Sequence, residues 1–198
     1  MRMNKNDLNT GISGQGGPTR RVSMPDIFGG ADKKTRPASA TINKPREELF
    51  SFFRDFTNFP KFMKHVTRVE NIDAKTHRWT IQDKGGALKH WETEIIEERP
   101  GEMIAWKTKP DSVFKQTAAV IFEPAVGGRG TIVSLKVAFD TTLGKIAGQL
   151  ERVGLADPDA EAAMNVRRFK ALLETGEVPT IDGQPNGAEG EAKEGNVA

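Results

Sequence analysis

No cysteine occurs among the 198 residues, which excludes disulfides, thiolate metal sites and cysteine nucleophiles. Tyrosine is absent too, so the phenol that often serves as acid or oxyanion donor is missing. Histidine is scarce: His65, His77 and His90 are the whole set. Their spacing gives neither His-x-His nor His-x3-His, and no structural zinc is expected. No apolar run approaches the roughly 18 residues of a membrane helix. The first residues, Met1–Asn6, are polar and no apolar stretch follows, so no secretory leader is expected and the chain reads as cytoplasmic. Markers of common cofactor chemistry are missing as well. There is no Gly-x-Ser-x-Gly elbow and no Gly-Lys-Ser/Thr after a glycine-rich loop. The run Gly11-Ile-Ser-Gly-Gln-Gly-Gly17 lacks the dinucleotide spacing and follows no strand. The expected cofactor and metal sets are therefore empty.

What is present divides by composition. Residues 1–37 hold seven Lys/Arg against three Asp/Glu, are rich in Gly, Ser, Pro and Asn, and show no periodicity. They read as a disordered basic arm. Residues 177–198 carry five acids and one Lys and read as a disordered acidic tail. The intervening domain, 38–176, is nearly balanced in charge. A nucleic-acid domain concentrates its basic charge on the folded part, so no specific nucleic-acid partner is expected. The basic arm suits a solvated linker or peripheral contact with an anionic membrane.

Within 38–176 the period of the apolar residues changes twice. Residues 38–42 form a short strand. Asn43-Lys-Pro45 opens a helix, with Glu47 and Glu48 near its positive end and Leu49, Phe52, Phe53 and Phe56 along one face. Thr57-Asn58 can cap a second short helix through Met63. Period two then takes over, giving strands at 66–72, 77–83, 88–98, 103–108, 113–123 and 131–140. Turn residues separate them, among them Lys84-Gly-Gly86, Arg99-Pro-Gly101 and Gly127-Gly-Arg-Gly130, the last needing positive φ. Such hairpins imply an antiparallel sheet. A weaker helix is expected at 143–153. A longer one starts at Asp157-Pro158, runs with the stripe Ala162, Val166, Phe169 and Leu173, and stops at Gly176.

This order, in an α+β chain, resembles the helix-grip (START-like, Bet v 1-like) fold of the SRPBCC superfamily. Local runs are more specific. Ile42-Asn-Lys-Pro-Arg-Glu-Glu-Leu-Phe50 is similar to that superfamily's opening strand-Pro-helix signature. Phe53-Arg-Asp-Phe56 with Asn58-Phe-Pro-Lys-Phe-Met63 resembles the second-helix signature of the polyketide cyclase/dehydrase branch, which also contains the coenzyme Q-binding START proteins. Trp91-Glu-Thr-Glu-Ile-Ile96, Ile104-Ala-Trp106, Val120-Ile-Phe-Glu-Pro124 and Arg168-Phe-Lys-Ala-Leu-Leu-Glu-Thr-Gly176 continue the likeness. It implies a curved antiparallel sheet wrapping a long C-terminal helix, with two short helices after the first strand and a cavity between sheet and helix.

Strand parity is consistent with that geometry. Trp79, Trp91, Thr93, Trp106, Gln116, Phe122 and Val133 fall on the face that the resemblance makes concave, with Phe169 opposite them on the helix, and His77 can point inward. These nine are the candidate ligand-binding residues; ordinary core packing explains the three Trp equally well. Arg78, Glu92, Glu94, Lys107, Lys115 and Lys136 fall on the other face. No candidate catalytic residue is assigned. His90, Glu92 and Glu94 share a strand face, but a solvated, ion-paired surface is the simpler account of them. The leading reading is a carrier or sensor of a hydrophobic small molecule, such as a lipid, quinone or polyketide-like aromatic. A polyketide cyclase/dehydratase-like enzyme is the second, with His77 its one titratable inward group. A protein-interaction module is the third. Oligomeric state is not legible.

Overall fold

The computed structural model describes residue 28 and residues 36–83, 85–112, 115–139 and 157–179. The helix expected at 143–153, the glycine-rich run at 11–17, the start of the strand expected at 113 and nearly all of both charged tails lie outside the described residues.

The chain opens with β1 (Ala38–Ile42), helix α1 (Arg46–Arg54) and a 3-10 helix (Phe56–Lys61). Six strands follow: β2 (Val66–Asn71), β3 (Thr76–Gln82), β4 (Leu88–Arg99), β5 (Met103–Thr108), β6 (Gln116–Pro124) and β7 (Thr131–Phe139). Helix α2 (Pro158–Thr175) comes last. All seven strands form one antiparallel sheet in the order β1-β7-β6-β5-β4-β3-β2. Strands β2 to β7 are thus a hairpin meander, and β1 returns to the edge beside β7. The sheet curls around α2, which makes this a helix-grip fold.

The short helices begin and end for local reasons. Pro45 stands at the N-cap of α1, and Glu47 and Glu48 occupy the first turn. Asp55, rather than Thr57-Asn58, caps the 3-10 helix: its carboxylate accepts from the Thr57 N–H at 3.2 Å and from the Thr57 hydroxyl at 2.6 Å. The short β-region residue between two helices lets the chain turn, so that Phe53 and Phe56 reach the core from two directions. Helix α2 has the ends its sequence announces. Asp157 accepts from the Ala160 N–H at 3.0 Å, Pro158 fills the first helical position, and Gly176 closes the helix at φ 80° with its N–H on the Leu172 carbonyl.

One glycine is dictated by crowding. Gly130 sits at φ 90° where β7 meets the end of β1, and a Cβ there would lie 2.1 Å from the Ile42 carbonyl oxygen. No other residue permits that approach. The same corner is clamped from α2: Glu174 accepts from the Asn43 N–H at 2.7 Å and from Lys170 at 2.8 Å. Those bonds hold its carboxyl below the usual range, the Lys170 bond contributing most.

Ladder register confirms the parity argument. Trp79 pairs Trp91, Thr93 pairs Thr108, Ile95 pairs Trp106, Ile104 pairs Val120, and Phe122 pairs Val133, all on the concave side. On the convex side Arg78 pairs Glu92 at 2.9 Å, and Lys109 lies 3.5 Å from the same carboxylate. His90 Nδ1 is 2.9 Å from the Thr80 hydroxyl, so His90 and Glu92 both belong to an ordinary paired surface. Phe28 places its ring 4.7 Å from Lys136 Nζ. A bulge in β4 between Ile95 and Glu97 breaks the alternation. It swings Glu98 to the concave side, where Arg54 donates to both of its oxygens at 2.9 and 3.0 Å and also to the Ala74 carbonyl at 2.8 Å. No described helix is long and apolar enough to cross a membrane.

Candidate functional site

The concave face has two differently filled ends. At one, α1 and the 3-10 helix insert a plug of Phe53, Phe56, Phe59 and Phe62, all at most 2% exposed. Phe53 touches Phe122, Trp106 and Phe169 with ring centroids 5.9, 6.1 and 5.5 Å away. This end is solid aromatic core. At the other end, under the first turns of α2, a cavity of about 70 Å³ remains. Its walls are Trp79, Trp91 and Trp106 from the middle strands, Leu135 and Val137 from β7, and Met63 and Val66 beyond the 3-10 helix.

Trp79 and Trp91 form the flattest wall. Their rings stack 5.9 Å apart at 10° between planes, as the directly opposed register of β3 and β4 requires. Trp79 is also pinned at its polar end: its indole N–H donates to the Thr93 hydroxyl at 2.8 Å. Among the described residues, the polar groups that face the cavity are Gln116 on β6, Asn165 and Glu161 on α2, and His65. His65 Nε2 lies 3.9 Å from Glu161 Oε2 at the rim, and Arg168 lies 3.7 Å from the other Glu161 oxygen.

Of the nine residues singled out from the sequence, Trp79, Trp91, Trp106 and Gln116 line this cavity. Thr93 stands behind its wall as the indole acceptor. Phe122, Val133 and Phe169 are packed among the rings at the closed end and reach no described cavity wall. His77 is there too, 1% exposed and stacked on Phe56 with centroids 4.3 Å apart. Its Nδ1 is buried without a hydrogen-bond partner. Burial first, and the Arg54 guanidinium second, push its pKa down to about 4. His77 is therefore a neutral core ring, shielded from anything in the cavity. The remaining inward hydroxyls serve the backbone: Thr108 accepts from the Gln116 N–H at 3.0 Å, and Thr131 donates to the Lys44 carbonyl at 2.9 Å.

His65, Glu161 and Asn165 were not singled out as site residues from the sequence. A signal for two of them exists. Glu161, Ala162 and Asn165 share one face of α2 by their i, i+1, i+4 spacing, and polar groups beside a buried stripe are worth inspecting. His65 gives no such signal, since it lies in irregular chain between the 3-10 helix and β2. Among the described residues no group of three or more His, Asp or Glu is placed to hold a metal ion.

Comparison with known proteins agrees with this architecture. A crystal structure of a Deinococcus radiodurans protein matches with a TM-score of 0.57 and 30% identity, over 72% of this chain and 98% of that one. The di-domain ARO/CYC protein StfQ of the steffimycin biosynthetic pathway matches with a TM-score of 0.51 over 69% of this chain and 49% of its own; at 16% identity that likeness is one of fold. An uncharacterized 17.2 kDa protein encoded in the melC2-rnhH intergenic region of Streptomyces lincolnensis is 27% identical over 139 residues, 69% of this chain and 87% of that protein. Residues 37–174 match the family model described as polyketide cyclase / dehydrase and lipid transport, and the chain belongs to that family.

Proposed function

We propose that the domain binds a hydrophobic small molecule in the cavity between β3–β7 and the first turns of α2, and acts as a carrier or sensor of it. Family membership supports hydrophobic-ligand binding in general. The finer reading, a lipid, quinone or polyketide-like aromatic held against Trp79, Trp91 and Trp106 with Gln116 as a polar contact, rests on the stacked indole wall. Flat apolar surfaces with a few convergent polar groups suit flat apolar ligands.

At about 70 Å³ the cavity is small beside the roughly 300–1,000 Å³ of sites for drug-sized ligands. A ligand of that size enters by displacing wall side chains. Met63 is the most adaptable of them, being unbranched and only partly buried. The test is a titration of the full chain with a short-chain benzoquinone, followed by intrinsic fluorescence. All three Trp border the cavity and there is no Tyr. Saturable quenching is expected, and Gln116→Ala should weaken it by about 1–3 kcal/mol, the usual size for one buried polar partner. Quenching that stays linear in ligand, as collision alone gives, would refute the reading.

The His65–Glu161 pair supports a second reading, in which the domain is a cyclase or dehydratase. An imidazole 3.9 Å from a carboxylate at the rim of an apolar cavity is close enough for a small shift to bring the two into a proton-transfer pair. On that reading His65→Ala lowers turnover of a poly-β-ketone substrate by about 100-fold or more with binding intact. On the carrier reading there is no turnover to lose.

A further inference from the structure

A groove of about 470 Å³ runs outside the domain, between the 3-10 helix and the face of α2 turned away from the sheet. Its rim carries Lys61, Lys64, Arg167 and Arg168, and no carboxylate is among the described residues that form it. Lys61 and Arg168 are engaged locally, by the Asn58 side chain at 2.7 Å and by Glu161 at 3.7 Å. Lys64 and Arg167 have no carboxylate within ion-pair distance among the described residues. Between the cations lies apolar surface: Phe62 beneath, and Met164, which is 41% exposed on a helix whose opposite face is core. Basic rim and apolar floor together fit a partner that is acidic and carries at least one apolar side chain.

The chain itself supplies one. Val178 and Pro179 form the groove's end wall, so the backbone leaves the described domain inside the groove. Beyond Pro179 come Ile181 and Asp182, then Glu189, Glu191 and Glu194. Residues 180–198 hold these four acids against a single Lys, a net of −3, and the rest are mainly small polar residues and glycine. Asp182 is three residues past Pro179, and about 10 Å of extended chain is the most that those residues span, so no long loop is needed for the first apolar–acidic pair to lie at the groove. Tethering also sets a high effective concentration, on the order of millimolar for a short flexible connection.

We infer that the acidic segment 180–198 docks in cis into the Lys61–Lys64–Arg167–Arg168 groove, and so occupies it against other anionic partners. The inference is independent of what the cavity binds. The groove is nevertheless next to that cavity, since alternate residues of one segment serve each: Met63 and His65 face the cavity, Phe62 and Lys64 the groove.

Because the chain has no cysteine, a single Ala192→Cys substitution allows one fluorophore to be placed on the segment. Its anisotropy in the full chain should be high at low ionic strength. It should fall toward that of the isolated labelled peptide as salt rises and the screening length shrinks from about 10 Å near 0.1 M to about 3 Å near 1 M. The double variant Lys64→Glu, Arg167→Glu should show the low value at every salt concentration. So should the combination Asp182→Asn, Glu189→Gln, Glu191→Gln and Glu194→Gln, which leaves the folded domain untouched. Anisotropy that is low from the start, or indifferent to all these changes, overturns the inference. So does a signal that grows with protein concentration, which would place the segment on a second copy. Sedimentation with vesicles containing phosphatidylserine covers a lipid occupant: whatever the basic arm at 1–37 adds to both, a chain ending at Pro179 should pellet more than the full chain, and Lys64→Glu, Arg167→Glu should remove that difference. Equal pelleting of both chains with the groove intact would show that the segment does not cover the groove, and overturns the inference.

Discussion

The two halves of α2 meet the same sheet and find different things there. Its C-terminal half sets Phe169 among Phe52, Phe53 and Phe62, with centroids 5.8, 5.5 and 5.2 Å away, and no room remains. Its N-terminal half presents Ala162, Glu161 and Asn165 to Trp79, Trp91 and Gln116, and a cavity remains. Small and polar helix residues over a floor of large rings leave space, while aromatic residues on both sides fill it. The difference does not lie in the sheet, whose concave face carries large apolar side chains at both ends, Trp91 at one and Phe122 at the other. It comes from where the aromatic plug of α1 and the 3-10 helix stops.

That contrast can be broken most forcefully at the closed end. Phe169→Ala should cost about 3–5 kcal/mol, as for a fully enclosed ring. Val137→Ala, at a half-buried cavity wall, should cost about 1 kcal/mol or less, because the truncated side chain already borders space. Chemical denaturation measures both. Equal losses would mean that the two ends are equally packed.

The closed end should also dominate the acid response. Well above pH 6.5 His77 is neutral whether folded or unfolded and contributes no pH dependence. As pH falls from 6.5 toward about 4, the unfolded chain takes up a proton that the folded ring refuses, and stability drops. The loss approaches about 3 kcal/mol in total, from roughly 1.4 kcal/mol per pH unit. Stability curves of His77→Leu should lack this component between pH 4 and 6.5. A variant with the same acid slope as the wild type would show that His77 is not the group responsible.

At the cavity end a smaller effect should report on wall geometry. Thr93→Val removes the acceptor of the Trp79 indole N–H and should cost about 1–3 kcal/mol. It should also move the fluorescence maximum, since Trp79 loses its fixed orientation against Trp91. An unchanged spectrum would show that the stack holds without the bond. Smallest of all, Arg78→Ala on the convex face should cost less than about 1 kcal/mol, as exposed ion pairs do.

The sequence makes the faces legible and hides the ends. Strict alternation assigns Trp79, Trp91, Trp106, Phe122 and Val133 to one side of the sheet, and the register agrees in each case. Alternation carries no information about position along the sheet relative to α1. Gln116 thus reaches the cavity and His77 does not, though both have inward parity. Helix ends were equally legible where a side chain or proline fixes them, as at Asp157-Pro158 and Gly176. The β4 bulge was not, because an extra residue leaves no mark in a stretch such as Glu94-Ile-Ile-Glu-Glu98; only its partner, Arg54, shows why Glu98 turns inward. The His65–Glu161 contact joins residues 65 and 161 across the fold, and nothing local in either segment announces it.

The central claim is that ligand enters beneath the N-terminal half of α2 and leaves the Phe53–Phe169 end undisturbed. The three indole N–H resonances test it directly, one for each Trp. In a titration with a short-chain benzoquinone, the three signals should saturate at one ligand concentration. Trp79 and Trp106, which both also touch Phe56 at the closed end, should shift less than Trp91. Indole signals that do not move, or a Trp106 shift exceeding that of Trp91, would contradict the account.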